Sequence, residues 1–253
     1  MSERAGRGSR RGSGKSSGMT GRLLHTKVKT ARGRKTSSTH WLQRQLNDPY
    51  VVEAKTRGLR SRAAFKLMQL DDRYGLLKPG FSVVDLGAAP GGWTQVAVER
   101  VGAEKGKGKV LAVDILEMEP VPGAEVMQLD FTAEDADTRV KAALGGPVDA
   151  VISDMAAPTT GHRQTDHLRI VMMCELALHF AIDVLAPGGV FIAKVLKGGT
   201  ENDLLELMKR DFENVRHAKP EASRADSREA YVIATGFRGK KRDEDSWSGN
   251  SDM

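Results

Sequence analysis

Cysteine is nearly absent from this chain, and aromatic residues are scarce. One cysteine, Cys174, stands among 253 residues, so no internal disulfide can form, which fits a reducing compartment. It lies in the apolar stretch IVMMCELAL and reads as a small core residue rather than a nucleophile. Aromatic residues make up 5% of the chain, too few for a broad stacking platform to be the main way of holding nucleic acid. No apolar run reaches spanning length and there is no signal-peptide h-region, so the sequence reads as soluble and cytoplasmic, without a membrane partner. A phosphate-cradling Walker loop is also missing, because Gly102–Lys107 has the wrong spacing and no Ser or Thr after the lysine.

Acids are nearly missing from the first 40 residues. Glu3 faces eleven Lys and Arg there, a net of +10, whereas the whole chain carries +6. The rest holds 28 basic and 32 acidic residues, about −4. The basic balance therefore belongs to a Gly-, Ser- and Arg-rich arm, expected to be disordered when free and suited to phosphates. A transit peptide or a purely solubilising tail are the rival readings. The expected organisation is an arm over 1–40, one α/β domain over 41–237 and a polar tail over 238–253.

What is present in quantity is alternation. Asp48–Gly75 reads as two helical pieces broken near Gly58, with a basic cluster (Lys55, Arg57, Arg60, Arg62, Lys66) that is either a solvated face or a polyanion grip. Strands are expected at Ser82–Leu86, Val110–Asp114, Glu125–Leu129, Asp149–Ser153, Val190–Leu196, Val215–Ala218 and Tyr231–Thr235. Helices are expected over 92–101, 132–144, 165–186 and 202–212, and Pro187-Gly188-Gly189 reads as a turn. This order means a mostly parallel sheet with helices on both faces.

The run VVDLGAAPGGW, Val83 to Trp93, is a strand end, a small-residue loop and a helix start, where a doubly wound fold holds a nucleoside cofactor. The loop reads G-A-A-P-G-G, not the G-x-G-x-x-G of a nicotinamide dehydrogenase. Asp114 and Asp130 end the second and third strands, placed for ribose hydroxyls and an adenine amino group; Asp85 can face an ammonium. An acid-lined pocket suits the cationic S-adenosylmethionine and repels a pyrophosphate. Lys194, inside VFIAKVL, is an amine in a strand that should be buried, and Asp154 follows the fourth strand at the same edge. His162 and His167 lack the pattern of a metal site, and no metal is expected.

VVDLGAAPGGW, SDMA, VFIAKVLKGG, SRADSREAYVIATG and RSRAAFKL together resemble the FtsJ/RrmJ heat-shock methyltransferases (also called RlmE) from about Asp48 to Gly236. The resemblance implies a Rossmann-like S-adenosylmethionine-dependent methyltransferase fold, with seven strands and an antiparallel last strand. It implies 2'-O-methylation of a uridine ribose in the A-loop of 23S rRNA, by a monomer acting on the large ribosomal subunit. It places a catalytic tetrad on Lys66, Asp154, Lys194 and Glu229, and cofactor contacts on Gly91, Trp93, Asp114, Asp130 and Asp154. Lys194 is then the base, or, if its carboxylate neighbours keep it charged, the group that orients the hydroxyl. Arg224 and Arg228 could grip phosphates. The stretch MAAPTTGHRQTDH after Asp154 is longer than the family's pattern. Methylation of another RNA such as tRNA, or a non-catalytic assembly factor on the same fold, are the alternatives.

Overall fold

A computed structural model of the chain describes residues 42–43, 45–157, 160–196 and 202–239. The arm expected over 1–40 and nearly all of the tail expected over 238–253 lie outside the described residues. The chain divides into two units, Met1–Pro49 and Tyr50–Met253. In the first, Asn47 Nδ2 donates to Gln43 O at 2.6 Å. The second carries the sheet and the site.

Two helices lead in, α1 (Pro49–Thr56) and α2 (Ala64–Tyr74), the second closed by Gly75 in the left-handed conformation. Then come β1 (Ser82–Leu86), α3 (Gly92–Val101), β2 (Lys109–Asp114), β3 (Glu125–Gln128), α4 (Ala136–Leu144) and β4 (Val148–Ser153). The order ends with α5 (Arg163–Val184), β5 (Leu185–Leu196), α6 (Asn202–Asp211), β6 (Phe212–Ala218) and β7 (Glu229–Phe237). The sheet runs β3-β2-β1-β4-β5-β7-β6. β1 to β5 are parallel, and β7 enters antiparallel between β5 and β6. This is the expected mixed seven-stranded sheet.

Alternation along the strands divides the core. Val84, Leu86, Val151, Phe191, Ala193 and Val195 pack with α4, α5 and α6 on one face. Val83, Ala150, Ile152, Val190, Ile192 and Ile233 pack with α2 and α3 on the other. Cys174 sits in the first cluster, 2% exposed, as a core residue. Among the described residues no helix is long and apolar enough to cross a membrane.

Two of the departures from the predicted bounds have local reasons. Pro187-Gly188-Gly189 does not end β5 but bulges from it: β4 advances from Val148 to Ala150 while β5 advances from Leu185 to Val190. Helix α4 starts later than residue 132 because Asp130 diverts the chain into a turn. Its Oδ1 accepts from Thr132 N at 2.9 Å and from Thr132 Oγ1 at 2.7 Å.

Candidate active site

The loop from Gly87 to Gly91 leaves β1 at the carboxyl edge of the sheet and is fastened to the end of β2. The N–H groups of Gly87 and Ala88 both donate to Val113 O, at 2.9 and 3.2 Å, and Ala89 N donates to Asp114 Oδ2 at 2.9 Å. Its small residues predict a backbone that a ligand can approach closely. At three glycines the missing Cβ also admits protein neighbours. A Cβ on Gly87 would stand 2.7 Å from Met155 Cγ, one on Gly91 3.0 Å from Arg60, and one on Gly92 would strike Ser61 Oγ. The loop is thus where the segment before α2 and the segment after β4 close on α3.

The predicted cofactor residues keep this edge but differ in exposure. Asp114 is half-buried and shared between two turns, accepting from Ala89 N and, through Oδ1, from Leu116 N at 2.8 Å. Asp130 is exposed two residues beyond β3, and its hydrogen bonds to Thr132 lower its carboxyl below the ordinary range. Trp93 is 2% exposed, and its indole Nε1–H donates to Ala63 O at 2.9 Å. What Trp93 can offer a ligand is its backbone at the start of α3 rather than its ring.

Asp85 tests whether the pocket fits a cationic cofactor. It is fully buried; Oδ2 accepts from Thr94 Oγ1 at 2.7 Å, and Oδ1 has no hydrogen-bond partner. Burial pushes its carboxyl from 3.8 up to about 7. The Thr94 hydrogen bond opposes the rise, and the charges of Asp154 and Asp114 add to it. Asp85 and Asp114 lie beside Asp154 with no ion pair of their own among the described residues, so the acceptor set fits a ligand bearing sulfonium and ammonium groups.

The four tetrad residues come together. Lys194 stands on β5 on the same face as Val190 and Ile192, and its Nζ reaches Asp154 Oδ1 at 3.0 Å and Asp154 O at 2.7 Å. Lys66, in the first turn of α2, reaches Glu229 Oε1 at 2.7 Å. In both pairs the lysine side chain is 11% and the acid 17% exposed. Burial would raise the Asp154 carboxyl, but the charges of Lys194 and Lys66 and hydrogen bonds from Lys194 and Tyr231 outweigh it and hold it low.

Two participants escaped the sequence reading. The Tyr231 hydroxyl donates to Asp154 Oδ1 at 2.8 Å, and its ring lies 5.7 Å below Lys66 Nζ and 5.4 Å from Trp93. Burial, then the charges of Asp154 and Glu229, push its phenol well above the ordinary value. Ser223 Oγ donates to Glu229 Oε1 at 2.9 Å. The register Lys194↔Tyr231 across β5 and β7 was the available signal for Tyr231.

The basic cluster is not one surface. Lys55 is exposed, and Arg57 pairs with Glu53 at 2.6 Å. Arg62 donates to Ala222 O, and Arg60 donates to three backbone carbonyls. His162 caps α5, its Nδ1 accepting from Thr165 N. His167 is buried one turn further on, with neither ring nitrogen hydrogen-bonded. Among the described residues no cluster of His, Cys, Asp or Glu is grouped to hold a metal ion.

The pattern of the FtsJ-like methyltransferase family matches residues 59–237. A protein of Paramagnetospirillum magneticum named ribosomal RNA large subunit methyltransferase E is 66% identical, over 90% of this chain and 93% of its own. One of the same name from Parvibaculum lavamentivorans is 62% identical, over 90% and 95%. Matches of that extent begin inside the first 40 residues. A ribosomal RNA methyltransferase of Plasmodium falciparum, known from a crystal structure, shares 31% identity at a TM-score of 0.63, over 72% of this chain and 100% of that one. The chain belongs to the FtsJ-like methyltransferase family.

Proposed function

We propose that this protein methylates a ribose 2'-hydroxyl of 23S rRNA in the large ribosomal subunit, at a uridine of the A-loop, with S-adenosylmethionine as cofactor. It acts as a soluble cytoplasmic monomer, with its basic arm over 1–40 adding phosphate contacts. The observation that carries this reading is the Lys194 amine, 11% exposed and held by Asp154 at the acid-lined edge beside the glycine loop. The names of the relatives point to the same RNA.

S-adenosylmethionine would be held by the backbone of Gly91 and Trp93 and by Asp114, Asp130 and Asp154, and it supplies an electrophilic methyl group. The protein's task is alignment and removal of one proton. Asp154 Oδ1 and its own carbonyl oxygen are both acceptors, so they engage two N–H bonds of Lys194. The remaining position on nitrogen faces the substrate hydroxyl. With the amine neutral, this position would take the 2'-hydroxyl proton as the O–C bond formed and the methyl's bond to sulfur broke, leaving a thioether. The ammonium that results lies against the Asp154 carboxylate, which Tyr231 fixes in place. Lys66 and Glu229 neutralise each other and close the other side.

The test has two arms. Ribose methylation is mapped in rRNA and tRNA from cells with and without the gene, and turnover on purified large subunits is followed across pH 6 to 9. Loss of one 23S methyl mark, a rate that rises with pH, and a drop of about 10²–10⁴-fold in Lys194→Arg are expected. A flat profile or an active arginine variant refutes the base. A mark lost from tRNA instead refutes the substrate.

A further inference from the structure

Arg60 stands in the segment expected to grip RNA, yet its guanidinium is turned onto the protein. Nη1 donates to Glu119 O at 2.5 Å and to Pro90 O at 3.3 Å, and Nη2 donates to Pro120 O at 2.6 Å. Its own backbone N–H donates to Gln95 Oε1 at 2.8 Å, and Gln95 Nε2 returns to Gly58 O at 3.1 Å. The same side chain lies on Gly91, whose φ of +106° and lack of a Cβ let Arg60 Cδ and Met118 Sδ approach.

These contacts join three segments that carry the cofactor residues. Pro90 and Gly91 belong to the glycine loop, Gln95 lies on α3 just after Trp93, and Glu119 and Pro120 belong to the loop rooted at Asp114. That loop holds two exposed apolar residues, Ile115 (58%) and Leu116 (63%), buries Met118 and Val121, and takes a polar anchor from outside at Glu119 O and Pro120 O. An arginine fork supplies it, because its planar donors meet several carbonyls at fixed angles and stay charged at every pH of interest. A phosphate contact would need the same donors.

We propose that Arg60 is a positioning residue of the cofactor pocket, clamping the glycine loop to the loop after Asp114, and is not part of the RNA grip. The proposal rests on the reading of this pocket as the S-adenosylmethionine site. It assigns Arg60 to cofactor affinity, with no role in the chemical step.

Calorimetry with S-adenosylhomocysteine on the full-length protein tests it. Arg60→Ala should weaken binding about tenfold and raise the KM for S-adenosylmethionine by a similar factor. The kcat should stay within about twofold of wild type, since the tetrad is untouched. Arg60→Lys, a point charge without the fork, should fall between. Amides of residues 115–121 should exchange faster in the alanine variant, and the salt slope of RNA binding should not change. Unchanged cofactor affinity with a salt slope reduced by about one would make Arg60 a phosphate contact and overturn the proposal. Should Arg60→Ala fail to fold, Gln95→Ala, which frees the Arg60 backbone, carries the test: weaker S-adenosylhomocysteine binding supports the proposal and full affinity overturns it. Wild-type protein that takes up no S-adenosylhomocysteine would overturn the pocket reading itself, and the proposal with it.

Discussion

Asparagine at position 85 separates the energetic cost of this pocket from its use. The Asp85 carboxyl is buried and pushed up to about 7, first by burial and then by the charges of Asp154 and Asp114, against the Thr94 hydrogen bond. In the unfolded chain it titrates near its ordinary value. Between about pH 4 and 7 the folded protein keeps a proton that the unfolded chain has lost. Stability therefore falls as pH rises through that window and levels off above it. Three units of pKa at 1.36 kcal/mol each set an upper bound of about 4 kcal/mol. Asparagine removes this cost and still accepts from Thr94, but its amide meets the position where Oδ1 has no partner, at about 1–3 kcal/mol. Asp85→Asn should therefore be more stable than wild type at pH 8, by on the order of 1–3 kcal/mol, and close to wild type at pH 5. Urea unfolding of ligand-free protein at both pH values reads the difference. A cation beside Asp85 favours the carboxylate, so S-adenosylmethionine binding at pH 6 should release a proton from wild type and none from the variant. Calorimetry in buffers of differing ionisation enthalpy counts it. Wild-type stability that stays flat from pH 5 to 8, or a variant curve parallel to it, refutes the reasoning.

Tyr231→Phe removes a buried donor from Asp154 Oδ1. It should cost about 1.5–3 kcal/mol in urea unfolding and slow turnover, with S-adenosylhomocysteine affinity unchanged by calorimetry. Deleting residues 1–40 removes eleven basic side chains. The salt dependence of binding to large subunits should flatten in a filter-binding titration while cofactor affinity holds; an unchanged slope would leave the arm no phosphate contacts.

The backbone was legible where glycine and apolar runs punctuate it. The β1 and α3 bounds match the prediction, because Gly87 and Gly102 close them. Lys194 and Asp154 were legible because a lysine inside an apolar strand and an acid at a strand end are costly unless they meet, whereas Lys66 and Glu229 joined them through the family resemblance. What stayed hidden are partnerships whose acceptors carry no sequence signal. Arg60 bonds to carbonyls of Pro90, Glu119 and Pro120, and any residue types there would supply the same oxygens. The five basic residues from Lys55 to Lys66 look alike in a charge count. Folding sends one to Glu229, one to the glycine loop and the loop after Asp114, and one to Ala222. The Pro187–Gly189 bulge was hidden for the opposite reason: its residues signal a turn strongly, and a turn and a bulge share that chemistry.

The charges at the sheet edge form two systems that share one residue. Lys66 with Glu229 and Lys194 with Asp154 make a set of two amines and two carboxylates, one net negative charge when Lys194 is the neutral base. Taking the hydroxyl proton onto Lys194 brings that set to neutrality. Asp85 and Asp114 stand outside the balance, and Asp154 raises Asp85 across the boundary. A cation entering beside Asp85 relieves that repulsion and, acting on the same field, bears on the carboxylate that holds Lys194. On the proposed reading, filling the cofactor side changes the energy of the proton on the substrate side, partly through Asp154, with no movement of the backbone required.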